Sequence, residues 1–369
     1  MAYKRSIGWI SLVVMVLALL AAADSATAQG DLPTRDDLSG GWTWIAPGGE
    51  TTCSDGSPFR FAAREGAGDD LLIYFSGGGA CWSALTCGPL NRTFVPTIDP
   101  ERIELAEDGI FDFDNPANPF GDYDMIVIPY CTGDVFMGDT VRDYSTGSMA
   151  VTIRHKGYAN ASAALAWTYA NFPAPASIFI TGESAGALGA SFHAPAIIEH
   201  YPQTRIAVLG DSAGGYSAPG FDLAMVLEPW GTIALLPDWI PALAAIESPA
   251  ELAFEDLYTA AAAHYPDVMF AQYNTLYDAT QAFFLSLAPG TPPLEDVLPG
   301  TLDAIARAAP NFRYFLAGGS EHTVLHRPEF YTTGAQGVTV RDWVAALAAG
   351  EPVETIVCEP CDEVEHIAP

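Results

Sequence analysis

The chain has 369 residues, 45 of them acidic and 15 basic, for a formal charge of −30 at pH 7, and half of its residues are apolar. So negative a chain excludes nucleic acid and anionic bilayers as partners, because both are bound through positive charge. The apolar fraction and the dispersed charges exclude a disordered chain and leave enough apolar volume for one large domain.

Residues 1–28 have the pattern of an export leader. Lys4 and Arg5 precede an apolar run from about Ile10 to Ala23, and Ala26-Thr27-Ala28 offers small residues for a cut after Ala28. The run is shorter than the ~20 residues that cross a bilayer, and no later segment is long and apolar enough. These features predict a secreted or periplasmic protein, one domain over residues 29–369, with no transmembrane segment in the mature chain. The six cysteines suit an oxidising compartment. Cys81 and Cys87 bracket a short loop. Cys358-x-x-Cys361 lacks a thioredoxin-like context and is expected to be structural, with zinc as the alternative. Cys53 and Cys131 are left to each other by elimination.

In chain order, an irregular N-terminal region leads to "DDLLIYFSGGG" (69–79), an apolar strand entering a glycine-rich turn, and "YDMIVIPYC" (123–131), a second strand. Residues 147–172 carry apolar residues three and four apart and predict a helix. "ASIFITG" (176–182) is a third strand and 185–202 a helix, with an interruption expected near Pro195. "RIAVLG" (205–210), "DVMFAQYN" (267–274) and "FRYFLAGG" (312–319) supply three more strands, and 339–350 a last helix stopped by Gly350. Short apolar strands alternating with helices predict an α/β fold, a mostly parallel central sheet with helices on both faces. Residues 219–265 break the rhythm with Phe221, Met225, Leu227, Trp230, Trp239 and Ile240. They form either a small helical cap or ordinary core helices.

Two segments, "GESAG" (182–186) and "GDSAG" (210–214), match Gly-x-Ser-x-Gly, the nucleophile elbow. An elbow needs a strand before the serine, glycines that leave room for a sharp turn, and a helix at once afterwards. Ser184 meets all three. Ser212 follows a strand, but "GGYSAPGFD" after it starts no helix, so Ser212 is expected to be a strand-end residue. The amide of Ala185 at the helix start would be one oxyanion donor. Gly78 and Gly79, after an upstream strand, would supply the others, with Gly77 shaping the turn. The base should follow the last strand in the order Ser, acid, His. His322 immediately follows 312–319 and is selected, with His326 as the fallback. Asp278, just past 267–274, is selected as the acid, while Glu183 and Asp211 are expected to be structural. No H-E-x-x-H or Walker pattern is present, so no metal or nucleotide cofactor is expected.

Assembled in this way, "YFSGGGACW", "VIPYCTGDVFMGD", "ITGESAGALGA", "VLGDSAGG" and "SEHTVLHRP" resemble the pectin acetylesterase and Notum carboxylesterase family, over about residues 70–328. The resemblance implies an α/β-hydrolase fold, a Ser184–His322–Asp278 triad, oxyanion donors at Gly78, Gly79 and Ala185, no cofactor, and an ester as substrate, such as acetylated pectin. Lipase-like or polyester depolymerase activity is the alternative, and a non-catalytic binding protein on the same scaffold is a further one. Ser76 stands where the family usually has glutamate and Ala80 where plant members have tryptophan, so acyl and alcohol specificity are not carried over.

Overall fold

The computed structural model describes residues 32–104, 106–147 and 149–367. The leader and its cut after Ala28 lie outside the described residues, and the compact folded unit begins at Thr34. Among the described residues nine strands form one sheet: β1 (Thr43–Ile45), β2 (Phe61–Arg64), β3 (Leu71–Phe75), β4 (Asp124–Ile128), β5 (Ser177–Glu183), β6 (Arg205–Asp211), β7 (Met269–Thr275), β8 (Phe312–Ala317) and β9 (Ile356–Val357). Their order is β1-β2-β4-β3-β5-β6-β7-β8-β9. β1 with β2 and β2 with β4 pair antiparallel, and the remaining neighbours are parallel.

All six strands expected from apolar runs are present. β3, β4 and β5 are buried at every position, as strands covered on both faces must be. The additional strands are short. β1 and β2 lie in the region expected to be irregular, where three- and four-residue segments carry too little periodicity to register.

The expectation of a helix from residue 147 is corrected. Met149–His155 is a strand paired antiparallel with Thr140–Thr146, and helix α1 spans Gly157–Asn171. Ile153 and His155 are buried while Thr152 is exposed, a period of two, and the helical period holds only beyond Gly157. Helix α2 (Ala185–His200) runs through Pro195 without the expected interruption. An interior proline costs about 3 kcal/mol, and burial of this helix at nearly every position offsets it.

Within residues 219–265 lie α3 (Leu223–Trp230) and α4 (Phe254–His264), joined by short turns. Trp230 is fully buried and its Nε1 donates to the Cys81 carbonyl at 2.9 Å, which seats α3 on the loop after β3. Helices α5 (Ala279–Ser286), α6 (Leu294–Ala308) and α7 (Val340–Ala349) are the other helices of eight or more residues among the described residues, and Gly350, at φ +73°, ends α7 as expected. Cys53–Cys131, Cys81–Cys87 and Cys358–Cys361 are disulfides. The zinc alternative at Cys358 and Cys361 is thereby overturned, since the two sulfurs are bonded to each other. No helix among the described residues is long and apolar enough to cross a membrane.

Candidate active site

Ser184 sits at the corner between β5 and α2 with φ +52° and ψ −121°. A side chain in that region costs about 1–3 kcal/mol, so the surroundings must impose it. They do so through close approach. A Cβ on Gly182 would lie 2.2 Å from the Gly186 carbonyl oxygen, and one on Gly186 would lie 1.9 Å from that of Phe75. The Ser184 amide donates to the Asp211 carbonyl at 2.7 Å, which fixes the corner to β6. Helix α2 begins at Ala185, so the first amides of the helix face the site without intrahelical acceptors.

The loop after β3 lies against this corner. A Cβ on Gly77 would come within 3.2 Å of Ser184 Cβ, one on Gly78 within 2.4 Å of the Tyr130 ring, and one on Gly79 within 2.0 Å of the Thr93 carbonyl oxygen. The Gly78 carbonyl accepts from Val95, and the Ala80 amide donates to Thr93. Among the described residues, the amides of Gly78 and Gly79 donate to no protein acceptor. The Cys81–Cys87 disulfide closes the next turn.

Asp278 caps α5 and is fully buried. Its Oδ1 accepts the amides of Thr280 and Gln281, each at 2.9 Å, and its Oδ2 accepts Gln281 Nε2 at 3.2 Å and faces His322 Nδ1 at 2.7 Å. His322 Nε2 is buried and makes no hydrogen bond among the described residues, Ser184 Oγ included. Such contacts are often long before substrate binds. Asp211 ties the two halves together. Its carbonyl holds the Ser184 amide, while its Oδ2 accepts the amides of Val324 and Leu325 at 2.8 and 2.9 Å, just past His322.

Ser212 has the same kind of strained backbone as Ser184, with φ +64°. Its hydroxyl, unlike that of Ser184, is buried and occupied: it donates to Asp211 Oδ1 at 3.0 Å and accepts the Thr323 amide at 3.1 Å. The second motif therefore grips the histidine loop from beneath. Burial pushes the Asp211 carboxyl up to about 6 despite those amide donors. His326, the fallback base, is ion-paired through Nδ1 with Glu183 Oε2. His193 on α2 is also excluded as a base: its Nε2 donates to the Phe136 carbonyl, and burial pushes it down to about 4.

Ser184, Ala185 and Gly79 line one cavity, whose other walls include Leu188, Phe221, Val226, Trp230, Phe254 and Phe284. Four of these six come from residues 219–265.

Residues 44–219 match the family described as Pectinacetylesterase. Over that span, a little under half of the chain, the sequence is similar to the pectinacetylesterase family. The match identifies an esterase, a carboxylic ester hydrolase. Two crystal forms of the Wnt deacylase Notum from Drosophila share its fold, with TM-scores of 0.61 and 0.60. Identity is 17% in both, over 84% of this chain and 93% and 92% of those chains. No curated protein matches it.

Sequence reasoning missed the esterase's Gln281, which braces Asp278 from one turn into α5, and Phe284, a cavity wall on the same helix. The sole signal for either was a position three and six residues past the chosen acid. One group of potential metal ligands occurs among the described residues, Cys81, Cys87 and His155. The two sulfurs are bonded to each other, and the His155 nitrogens engage Thr132 O and Tyr144 Oη. These residues do not fit a metal.

Proposed function

We propose that the chain is an exported serine carboxylesterase whose leader is removed after Ala28 and whose residues 219–265 act as a cap. Ser184 Oγ attacks the ester carbonyl while His322 Nε2 takes its proton, and Asp278 holds the imidazole by Nδ1. The carbonyl oxygen, now negative, is received by the amides of Gly78, Gly79 and Ala185. The alcohol leaves with the proton from His322, and water, deprotonated by the same imidazole, releases the acid and frees Ser184. The observation that carries this reading is the His322 imidazole, held by Asp278 on one nitrogen and without a partner among the described residues on the other, in a loop that shares Asp211 with the Ser184 corner.

The apolar cavity beside Ser184 supports acyl groups longer than acetyl. Acetylated pectin is the second reading, favoured by the family match. Hydrolysis of p-nitrophenyl esters of rising chain length separates them. Each methylene buried is worth about 0.8 kcal/mol, or roughly fourfold in kcat/KM, until the cavity is filled. A maximum at acetate, with acetate released from acetylated pectin, selects the second reading. Ser184→Ala should abolish both activities, and wild-type turnover in that variant would remove the assignment.

A further inference from the structure

A second carboxylate–imidazole pair lies behind Ser184, and ester hydrolysis by the triad does not use it. Glu183, the residue before Ser184, is about nine-tenths buried. Its Oε1 accepts the Gly77 amide at 3.3 Å, and its Oε2 meets His326 Nδ1. One carboxylate therefore joins three parts of the site: the loop that bears Gly78 and Gly79, the corner that bears Ser184, and the loop that bears His322. Gly77 leaves no slack in this arrangement, because a Cβ there would lie 2.9 Å from the Glu183 carbonyl oxygen. Any shift of Gly77 is passed directly to the two amides that follow it.

The charge of Glu183 matters as much as its reach. An uncompensated carboxylate beneath the loop would oppose the negative charge that develops on the substrate oxygen, in a site where water screens little. A protonated His326 cancels it. Facing that imidazole are Glu183 from β5, Asp211 from β6 and Arg327 beside it in its own loop; across the cavity it shares with Glu183 lie Asp99, Tyr74 and Tyr130. Burial disfavours a charged imidazole there, but the hydrogen bond with Glu183 and the charges of Glu183 and Asp211 outweigh it, and His326 titrates above its ordinary value.

We propose that Glu183 and His326 are positioning residues, an ion pair that holds the glycine loop against the Ser184 corner and keeps its underside neutral, so that turnover declines once His326 gives up its proton. The inference rests on Ser184 being the nucleophile. Its sign follows from the direction of the shift. The pair is fully formed at and below the ordinary histidine value and is lost as pH rises through the raised one, which gives an alkaline decline in kcat.

The test is kcat and KM for p-nitrophenyl acetate between pH 5 and 9 in wild type, His326→Ala, His326→Gln, Glu183→Gln and Ser184→Ala, with thermal unfolding measured on each. His326→Ala should lower kcat about 10- to 100-fold, short of deleting a donor outright, with KM within about twofold. His326→Gln still donates to Glu183 but carries no charge and cannot titrate, so it should stay above His326→Ala, hold the wild type's alkaline rate at every pH and lose the alkaline decline. Glu183→Gln, which can still accept from Gly77, should lose that decline as well. If His326→Ala does not fold, the two glutamine variants carry the test. A folded His326→Ala enzyme with wild-type kcat, or glutamine variants that keep the wild-type alkaline decline, overturns the proposal while the inactivity of Ser184→Ala leaves the esterase reading standing. An active Ser184→Ala enzyme overturns that reading instead.

Discussion

The Asp211→Asn substitution keeps the shape of a side chain that holds the histidine loop and removes its charge. In the wild type that carboxylate is completely buried, and burial raises it from the ordinary carboxylate range to about 6. The folded state therefore holds a proton that the unfolded chain has released between about pH 6 and 4, and stability contributed by Asp211 rises as pH falls through that window. Between pH 7.5 and pH 5 the wild type should gain about 1–2 kcal/mol relative to Asp211→Asn, from a shift of about two pKa units at ~1.4 kcal/mol each, half completed by pH 5. The asparagine can still present an oxygen to the Val324 and Leu325 amides. Asp211→Ala presents none and leaves both amides buried without acceptors, at about 1–3 kcal/mol apiece, so it should fall below Asp211→Asn at both pH values. Urea unfolding followed by tryptophan fluorescence gives these differences directly. Stability curves for wild type and Asp211→Asn that run parallel from pH 7.5 to 5 would refute the reasoning, and so would an Asp211→Ala protein as stable as the asparagine variant.

Three further outcomes are expected. Ser212→Ala removes the acceptor of the buried Thr323 amide and should cost about 1–3 kcal/mol, while a fluorophosphonate probe still labels Ser184; loss of labelling in folded protein would show that Ser212 takes part in the chemistry. Gly79→Ala, at φ +77° and with its new carbon 2.0 Å from a carbonyl oxygen, must displace the loop and should lower kcat about 10²-fold; unchanged kcat would remove the Gly79 amide from the oxyanion site. Replacing Cys53 and Cys131 by serine, 78 residues apart, should cost about 4–5 kcal/mol by loop-closure entropy, against about 2 kcal/mol for Cys358 and Cys361, a ranking that calorimetry on the two double variants can contradict.

Adjacent residues determined a great deal. A strand needs its apolar run, an elbow needs glycine where another chain segment leaves no room for a Cβ, and a helix ends where glycine takes a positive φ; each requirement is written within a few neighbouring positions. The six main strands and the Ser184 corner were legible for that reason. One local pattern misled. Ala-rich spacing carried the expected helix of 157–171 back into a strand whose period of two is only a few residues long. Ser212 lies at the end of β6 as expected, and also shares the strained backbone of Ser184. The structural difference between the two serines is long-range. It lies in where each hydroxyl goes: Ser212 reaches the Thr323 amide 111 residues away, and Asp211 beside it reaches Val324 across 113. The union of Glu183 with Gly77 and His326 is of the same kind. Sheet order decides which strand ends become neighbours, and a carboxylate acquires its partners from those neighbours. The tertiary structure alone therefore shows which partners these acids take, Asp278 the His322 imidazole, Asp211 the amides past it, and Glu183 both Gly77 and His326.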